Sequence, residues 1–448
     1  MLSLQGIYWH RVLTFHRIHS TLAHLFMQKV LFITYFWPPS GKATLHWPLK
    51  IIKHLPGNGW QPIVLTADED TFSQKDESLL KEVDPNLEVC KARAVEPFGI
   101  YRRLLGKKKD EPLTASETIS TTNHGLRHQF AVWIRMNLFV PDARIGWYCN
   151  AVRKGKQILK SENIKAIVSI GPPHTTLLVG MKLSKLSGIP HIPVFIDPWV
   201  DISYYKDFKR SKVTVTLDRH LERSVLENAS RIVFVTNSMK EDYELRYPHI
   251  QSKSHVLYWG YDEEAFGAYI LKKLDGPEIL LHAGNIYDHQ NPKTLWKTLQ
   301  GEIDKGRNLK IVFVGTVGPG IRQSIQDAGL SDRTEYKGFL PYNQMIEEIS
   351  NASYLLVCAS EKRHVPGKLF EYLRSGKPVL AFGDGNEEVQ RVLEETRSGM
   401  IFPLTSDGGE FFKHLPRFQT DINTVRRFDR KEISGSLAKV LNEIVSAH

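Results

Sequence analysis

Short runs of β-branched and aromatic residues, each followed by a stretch of helical spacing, recur along this chain. Lys29–Tyr35 (KVLFITY) is bounded by the turn cluster Pro38-Pro39-Ser40-Gly41 and reads as a buried strand. Ala43–Leu55 has helical spacing and stops at Pro56-Gly57, and Pro62–Thr66 is a second strand. Strand, helix and strand in about 35 residues make a βαβ unit, which implies a parallel sheet with right-handed crossovers. The pattern returns at Lys165–Ile170, His191–Ile196 and Arg231–Thr236. Ser238-Met239-Lys240-Glu241 has capping-box spacing and predicts a helix start.

A Gly/Pro break near Leu274–Pro277 precedes a second series. Glu278–Ala283, Leu309–Gly315, Ser353–Cys358 and Pro378–Phe382 read as strands. Asn291-Pro292 predicts a helix cap with Pro at the first helical position. Pro341 opens a helix over Tyr342–Asn351, another runs from Gly367 to Ser375-Gly376, and Asp429–Val445 reads as a final amphipathic helix. The fold class is therefore α/β, with two doubly wound domains. The expected division is an extension over residues 1–26, a first domain over 27–275, a second over 276–428 and a closing helix over 429–448.

Residues 1–26 carry no acidic side chain and no continuous apolar core, so they do not read as a secretory signal. An upstream start codon ahead of Met27 is the simplest account, and an amphipathic membrane arm is the alternative. Residues 99–145 break the rhythm with Arg102, Arg103 and Lys107–Lys109, then with Gln129–Phe139 (QFAVWIRMNLF). The second stretch predicts a helix with Trp133, Ile134, Leu138 and Phe139 beside Arg127 and Arg135. It suits either a membrane surface or packing on its own sheet. The net charge of +10 admits anionic partners, but no nucleic-acid motif accompanies it, so nucleic acid is not expected. Three cysteines, Cys90, Cys149 and Cys358, are too few and too scattered for a disulfide framework or a zinc module. With no apolar run of 18 residues, the expected place is the cytoplasm, at the inner membrane face if the basic surface meets anionic lipid.

Ligands of open α/β sheets bind beyond the carboxyl ends of strands, and four segments fall there. Gly41, in the loop after the first strand, allows close approach of a phosphate or makes a plain tight turn. His174, after Gly171-Pro172-Pro173, faces a ligand or caps a helix. Asp197, ahead of Pro198-Trp199, is a base or acceptor for a hydroxyl, or a turn cap. The fourth is Val365-Pro366-Gly367-Lys368-Leu369-Phe370-Glu371-Tyr372-Leu373. Pro-Gly places free amides at a helix start, Lys368 adds positive charge, and Glu371 follows on the same face three residues later. Phosphate held by amides and ribose held by a carboxylate describe a nucleotide site. A solvated Lys–Glu pair is the alternative.

These residues carry a resemblance to the GT-B glycosyltransferases, and within them to the retaining glycosyltransferase family 4. Lys29–Gly41 resembles the family's first strand and loop. Asp197-Pro198-Trp199 resembles the "DPW" stretch of a bacterial cell-surface polysaccharide branch. Gly338-Phe339-Leu340-Pro341 with Ala352–Leu356, and Pro366–Leu373, resemble two further segments. The resemblance implies two Rossmann-like domains facing a cleft, with the final helix crossing back to the first. It implies an N-terminal domain for the acceptor and a C-terminal domain for a nucleotide-sugar donor. By the same resemblance Glu371 binds the donor ribose. The amides of Gly367, Lys368 and Leu369 hold the diphosphate, Leu340 contacts the base, and Gly41 lies near the donor phosphate. Asp197 falls near a family histidine or aspartate beside the reacting sugar; Asp197 and His174 are the two candidate catalytic residues. Two departures stand out. Position 363, where the family has the first glutamate of its E-x7-E motif, holds Arg363, and Glu361 is two residues out of register. The loop opened by Gly284 lacks the Arg and Lys that the family often carries beside the diphosphate.

The expected function is transfer of a sugar from a nucleoside-diphosphate donor to a glycan or lipid-linked acceptor, with retention, in cell-surface polysaccharide synthesis. No cofactor and no metal is expected, because a helix N-terminus with Lys368 and Arg363 can stabilise the leaving diphosphate. The alternatives are a nucleotide-sugar 2-epimerase of the same fold and a non-catalytic nucleotide-binding scaffold.

Overall fold

A computed structural model describes residues 27–72, 75–95, 126–202, 208–267, 276–359, 362 and 365–446. The expectations for residues 1–26, for the basic stretch at 102–109, and for Glu361 and Arg363 lie outside the described residues. The chain divides into two compact units. Unit 1 takes residues 1–234, 247–255 and 434–448, and unit 2 takes 235–246 and 256–433.

Unit 1 is built on a seven-stranded sheet in the order β3-β2-β1-β4-β5-β6-β7. Its strands are β1 (Gln28–Ile33), β2 (Trp60–Ala67), β3 (Glu88–Ala92), β4 (Ile164–Gly171), β5 (His191–Phe195), β6 (Ile232–Phe234) and β7 (Ser254–Val256). Leu31 lies opposite Ile63 on one side and Ile167 on the other, in parallel register. The helices are α1 (His46–His54), α2 (Leu126–Leu138), α3 (Tyr148–Ser161), α4 (Thr175–Ser187) and α5 (Lys212–Asn228), apart from shorter turns. Helix α1 buries Trp47, Leu49, Ile51 and Ile52. Full burial of such side chains stabilises by roughly 1.5–3 kcal/mol each. Pro56 ends the run, and Gly59, at φ +83°, turns the chain into β2. The expected single helix over 43–55 is a 3-10 turn at Ala43–Leu45 followed by α1.

Unit 2 carries a six-stranded parallel sheet in the order β10-β9-β8-β11-β12-β13. Its strands are β8 (Glu278–Ala283), β9 (Leu309–Val314), β10 (Thr334–Gly338), β11 (Tyr354–Cys358), β12 (Val379–Phe382) and β13 (Gly399–Phe402). Each apolar run feeds both faces. Leu281, Leu355 and Val357 enter one core, and Leu280, Leu356 and Cys358 the other. That is the pattern of a sheet covered on both sides. The helices, apart from shorter ones, are α6 (Asn237–Arg246), α7 (Lys293–Asp304), α8 (Pro319–Asp327), α9 (Tyr342–Asn351), α10 (Lys368–Ser375) and α11 (Glu387–Thr396). The backbone N–H groups of Asn237 and Ser238 donate to the buried Glu388 carboxylate at 3.3 and 2.8 Å, and that of Met239 donates to Thr236 Oγ1 at 3.2 Å. Helix α12 (Arg430–Ser446) begins in unit 2 and continues, from Ser434, in unit 1. There Ser434 Oγ donates to the Ile51 carbonyl at 2.9 Å, and Trp60 Nε1 donates to Asn442 at 2.9 Å.

Candidate functional site

The two candidate clusters both lie at carboxyl ends of central strands, one in each unit. In unit 2, β8 ends at Ala283 and the chain turns at Gly284, whose φ is +103°. A Cβ at this position would stand 2.8 Å from Lys368 Nζ, so the site needs glycine for its backbone and for its space. Lys368 opens α10. Its ammonium lies 3.0 Å from His282 Nε2, and His282 Nδ1 lies 2.9 Å from the Leu356 carbonyl. Burial brings the Lys368 pKa down to about 8, with Cys358 and Glu371 pulling the other way. Burial pushes the Cys358 thiol up to about 12. The His282 ring is held well below its usual range, first by burial and then by Lys368.

One turn along α10, Glu371 is 5% exposed. Its Oε1 accepts from the Tyr342 hydroxyl at 3.3 Å, and Arg430 Nη2 lies 3.9 Å away. Its Oε2 is buried and has no partner among the described residues. Burial raises the carboxyl, and the Arg430 guanidinium opposes the rise. Arg430 also donates to the Trp259 carbonyl at 3.3 Å. A surface Lys–Glu pair is thereby excluded. Glu371 is buried and Lys368 half-buried, and each has its own partners.

Gly367 and Lys368 stand at the amino end of α10 as expected, but Leu369 plays another part. Its side chain is fully buried in the core, and its amide already donates to the Pro366 carbonyl at 2.9 Å. Among the described residues, the amides of Gly367 and Lys368 have no carbonyl partner and are the ones left for an anion. Leu340 lies in the loop after β10, partly packed on the core beside the exposed Phe339. His282, Tyr342 and Arg430 escaped the sequence reading. The one available signal was a histidine inside the apolar run of β8.

In unit 1, His174 precedes α4 and Asp197 follows β5. The His174 side chain does not cap its helix. Asp142 does, accepting from the Thr175 amide and hydroxyl at 2.9 Å each. The His174 ring instead stacks on Trp199, with centroids 4.9 Å apart at 12°. Its Nε2 is buried without a partner among the described residues, and burial brings its pKa down to about 4. Asp197 keeps some surface exposure, yet the protein around it pushes its carboxyl up to about 6. The loop that follows is bolted to α5. Trp199 Nε1 donates to Asp218 at 2.6 Å, Asp218 pairs with Arg210, the Val200 amide donates to Glu222 at 3.2 Å, and the Tyr247 hydroxyl donates to Glu222 at 2.9 Å. Asp218 and Glu222, spaced like a solvated helix face, are fully buried. Gly41 lies in the loop after β1, next to Lys42. The ammonium of Lys42 is depressed by burial, then by Arg144 and Arg135.

A neutral imidazole and an elevated carboxyl in unit 1 can take or hold a hydroxyl proton. In unit 2, an ammonium and free amides can hold a phosphate, and a buried carboxylate oxygen can accept from hydroxyls.

Three solved structures are similar along nearly the whole chain. Sucrose-phosphate synthase from Thermosynechococcus elongatus is 14% identical with a TM-score of 0.57, covering 94% of this chain and 100% of its own. Anabaena HepE in complex with UDP and glucose is 14% identical with a TM-score of 0.55, covering 93% and 100%. A UDP-N-acetylglucosamine 2-epimerase is 12% identical with a TM-score of 0.52, covering 94% and 96%. These likenesses establish the two-unit GT-B fold. A search of curated proteins finds no match. Residues 269–431, which contain His282, Lys368, Glu371 and Arg430, match the family model described as glycosyl transferases group 1.

Proposed function

We propose that the protein is a retaining glycosyltransferase that takes its sugar from a nucleoside-diphosphate donor held by unit 2. The observation that carries this reading is Glu371. Among the described residues its Oε2 is buried and unpartnered, one helical turn from a half-buried ammonium and the amino end of α10. Burying a carboxylate oxygen with no donor is costly, and a ribose hydroxyl relieves that cost on binding. Lys368 and the amides of Gly367 and Lys368 take the diphosphate. Their fixed charge stabilises the leaving group as the glycosidic bond breaks, and preorganised donors of this kind are worth on the order of 3–4 kcal/mol each. The uridine diphosphate in the Anabaena structure supports this class of donor. His174 and Asp197 are assigned to the acceptor hydroxyl. Retention fits a front-face attack in which the leaving phosphate receives the acceptor proton and these two residues orient the hydroxyl.

A glycan or lipid-linked acceptor in cell-surface polysaccharide synthesis fits a basic surface with exposed apolar side chains. On unit 1, Trp133 and Leu138 of α2 are 46% and 63% exposed, and Val213 and Leu217 of α5 are 79% and 46% exposed. Helix α2 is tied to the start of α5 where the Ser211 amide donates to Asn137 at 2.6 Å, with Lys209 and Lys212 flanking the tie. Apolar and aromatic groups rimmed by lysines suit the interface of an anionic membrane. No helix among the described residues is long and apolar enough to cross a membrane.

The test is a thermal-shift screen with UDP, GDP, ADP and CMP, followed by transfer assays that read the anomeric configuration of the product. Stabilisation by one nucleoside diphosphate is expected, because a ligand that binds only the folded state raises its stability. Donor turnover that needs no acceptor and inverts the sugar at C2 would make the protein an epimerase instead. No nucleotide binding by a well-folded sample would overturn the reading.

A further inference from the structure

We propose that His282 is a positioning residue for Lys368: held as a single neutral tautomer, it accepts from the ammonium through Nε2 and fixes where the remaining ammonium protons point. This inference rests on reading the amino end of α10 as an anion site, and it adds the device that aims the cation.

The tautomer follows from the contacts. The Leu356 carbonyl can only accept, and it lies 2.9 Å from His282 Nδ1, so Nδ1 carries the proton. The ring is 2% exposed and faces an ammonium at 3.0 Å, so a second proton is excluded by desolvation and by like charge. Nε2 then accepts from Lys368, while the Asn285 backbone makes a further hydrogen bond to the ring. Among the described residues, the titratable groups that face Lys368 are His282 from β8, Cys358 from β11 and Glu371 from its own helix. Of these, only the His282 ring nitrogen lies within hydrogen-bond distance of Nζ.

The absence of a side chain at Gly284 completes the cradle, since a Cβ there would meet Nζ at 2.8 Å and its Cε at 3.1 Å. The ammonium is thus confined between a backbone turn and an imidazole before any ligand arrives. A lysine on a flexible stem ordinarily gives up rotamer freedom when it binds a phosphate. Here much of that ordering is complete in the free protein, so the charge is in place where the diphosphate leaves. The His282 acceptor also favours the charged form of a lysine that burial disfavours.

The experiment uses the full chain and two variants. His282→Asn keeps a donor for the Leu356 carbonyl and has nothing at the Nε2 position. His282→Gln can place a carbonyl oxygen near Lys368. Binding of UDP, GDP, ADP and inorganic pyrophosphate is measured by calorimetry from pH 6 to 9.5. The Lys368 ε-methylene is titrated by NMR with labelled lysine and assigned by its loss in Lys368→Met. The Asn variant is expected to bind about tenfold more weakly at neutral pH. Its Lys368 midpoint should fall by about one pH unit, and the Gln variant should recover most of both. A folded Asn variant with unchanged affinity and an unchanged Lys368 midpoint would overturn the proposal. So would equal weakening in both variants with the midpoint unmoved, which is the signature of a purely structural histidine. If the wild type binds none of the probes, the nucleotide reading fails, while the Lys368 midpoints in the three proteins still decide the role of His282.

Discussion

Glu371→Gln separates folding from binding at the proposed ribose contact. The amide keeps the shape of the carboxylate and still accepts from Tyr342, but it removes the charge 3.9 Å from Arg430. Arg430 is 4% exposed, so it cannot turn to water. Two unit charges about 4 Å apart attract by roughly 4 kcal/mol at an effective dielectric near 20. Removing one partner of a buried pair typically costs about 3–5 kcal/mol. The Trp259 carbonyl still accepts from Arg430, so a destabilisation of about 3 kcal/mol is expected. Binding suffers separately. Loss of a charged acceptor costs about 1–3 kcal/mol, which is roughly 5- to 150-fold in Kd. Thermal unfolding and calorimetry against the preferred nucleoside diphosphate measure the two terms. Adding Arg430→Met should restore much of the stability and none of the affinity. A Glu371→Gln protein that binds within twofold of wild type would refute the ribose contact, and one that melts like wild type would refute the pairing with Arg430.

Asp218→Asn should unfasten the loop after Asp197, because it weakens the acceptor for Trp199 Nε1 and leaves Arg210 without its carboxylate. We expect lower kcat at nearly unchanged donor affinity, and unchanged kcat would refute the clamp. The pH profile of transfer should be bell-shaped. It should rise through about 6 as Asp197 ionises and fall through about 8 as Lys368 loses its proton, and a flat profile over that range would exclude both roles. The stability of the free protein should move the other way on the alkaline side. Lys368 titrates lower when folded than the ordinary 10.5, so its contribution is lost as pH falls from 10.5 towards 8 and regained as pH rises. Denaturant melts at pH 8 and 10, compared with Lys368→Met, measure this. Gly284→Ala should push Lys368 Nζ aside and strain the backbone by about 1–3 kcal/mol, read as weaker nucleotide binding and a lower melting temperature.

The strands show what the pattern of residues could and could not reveal. The sequence reading finds nine strands: β1, β2, β4, β5, β6, β8, β9, β11 and β12. The four it misses, β3, β7, β10 and β13, are the four sheet edges. Interior strands of a parallel sheet are buried on both faces and read as continuous apolar runs, such as the fully buried Tyr354–Cys358. Edge strands are half-covered. Residues 254–256 and 334–338 mix polar and apolar types, and their strand form comes from pairing with a neighbour.

The candidate residues divide in the same way. Local order alone placed Gly284, Gly367, Lys368 and Glu371 on the strand-to-helix turns where free amides and carboxyl ends meet, because backbone geometry confines glycine and helix starts to such places. It also placed His174 and Asp197 after consecutive strands. It could not show that Leu369 spends its amide on Pro366, that Asp218 and Glu222 are buried, or that Arg430 stands beside Glu371. It could not pair His282 with Lys368 either, since 86 residues separate them. The sequence determined which chemical groups arrive at which ends of which elements, because short-range stereochemistry sets turns, caps and periodicity. Only the tertiary structure decided which of those groups lose their water and which distant side chain answers each one, because desolvation and long-range contact exist only once the sheets are assembled.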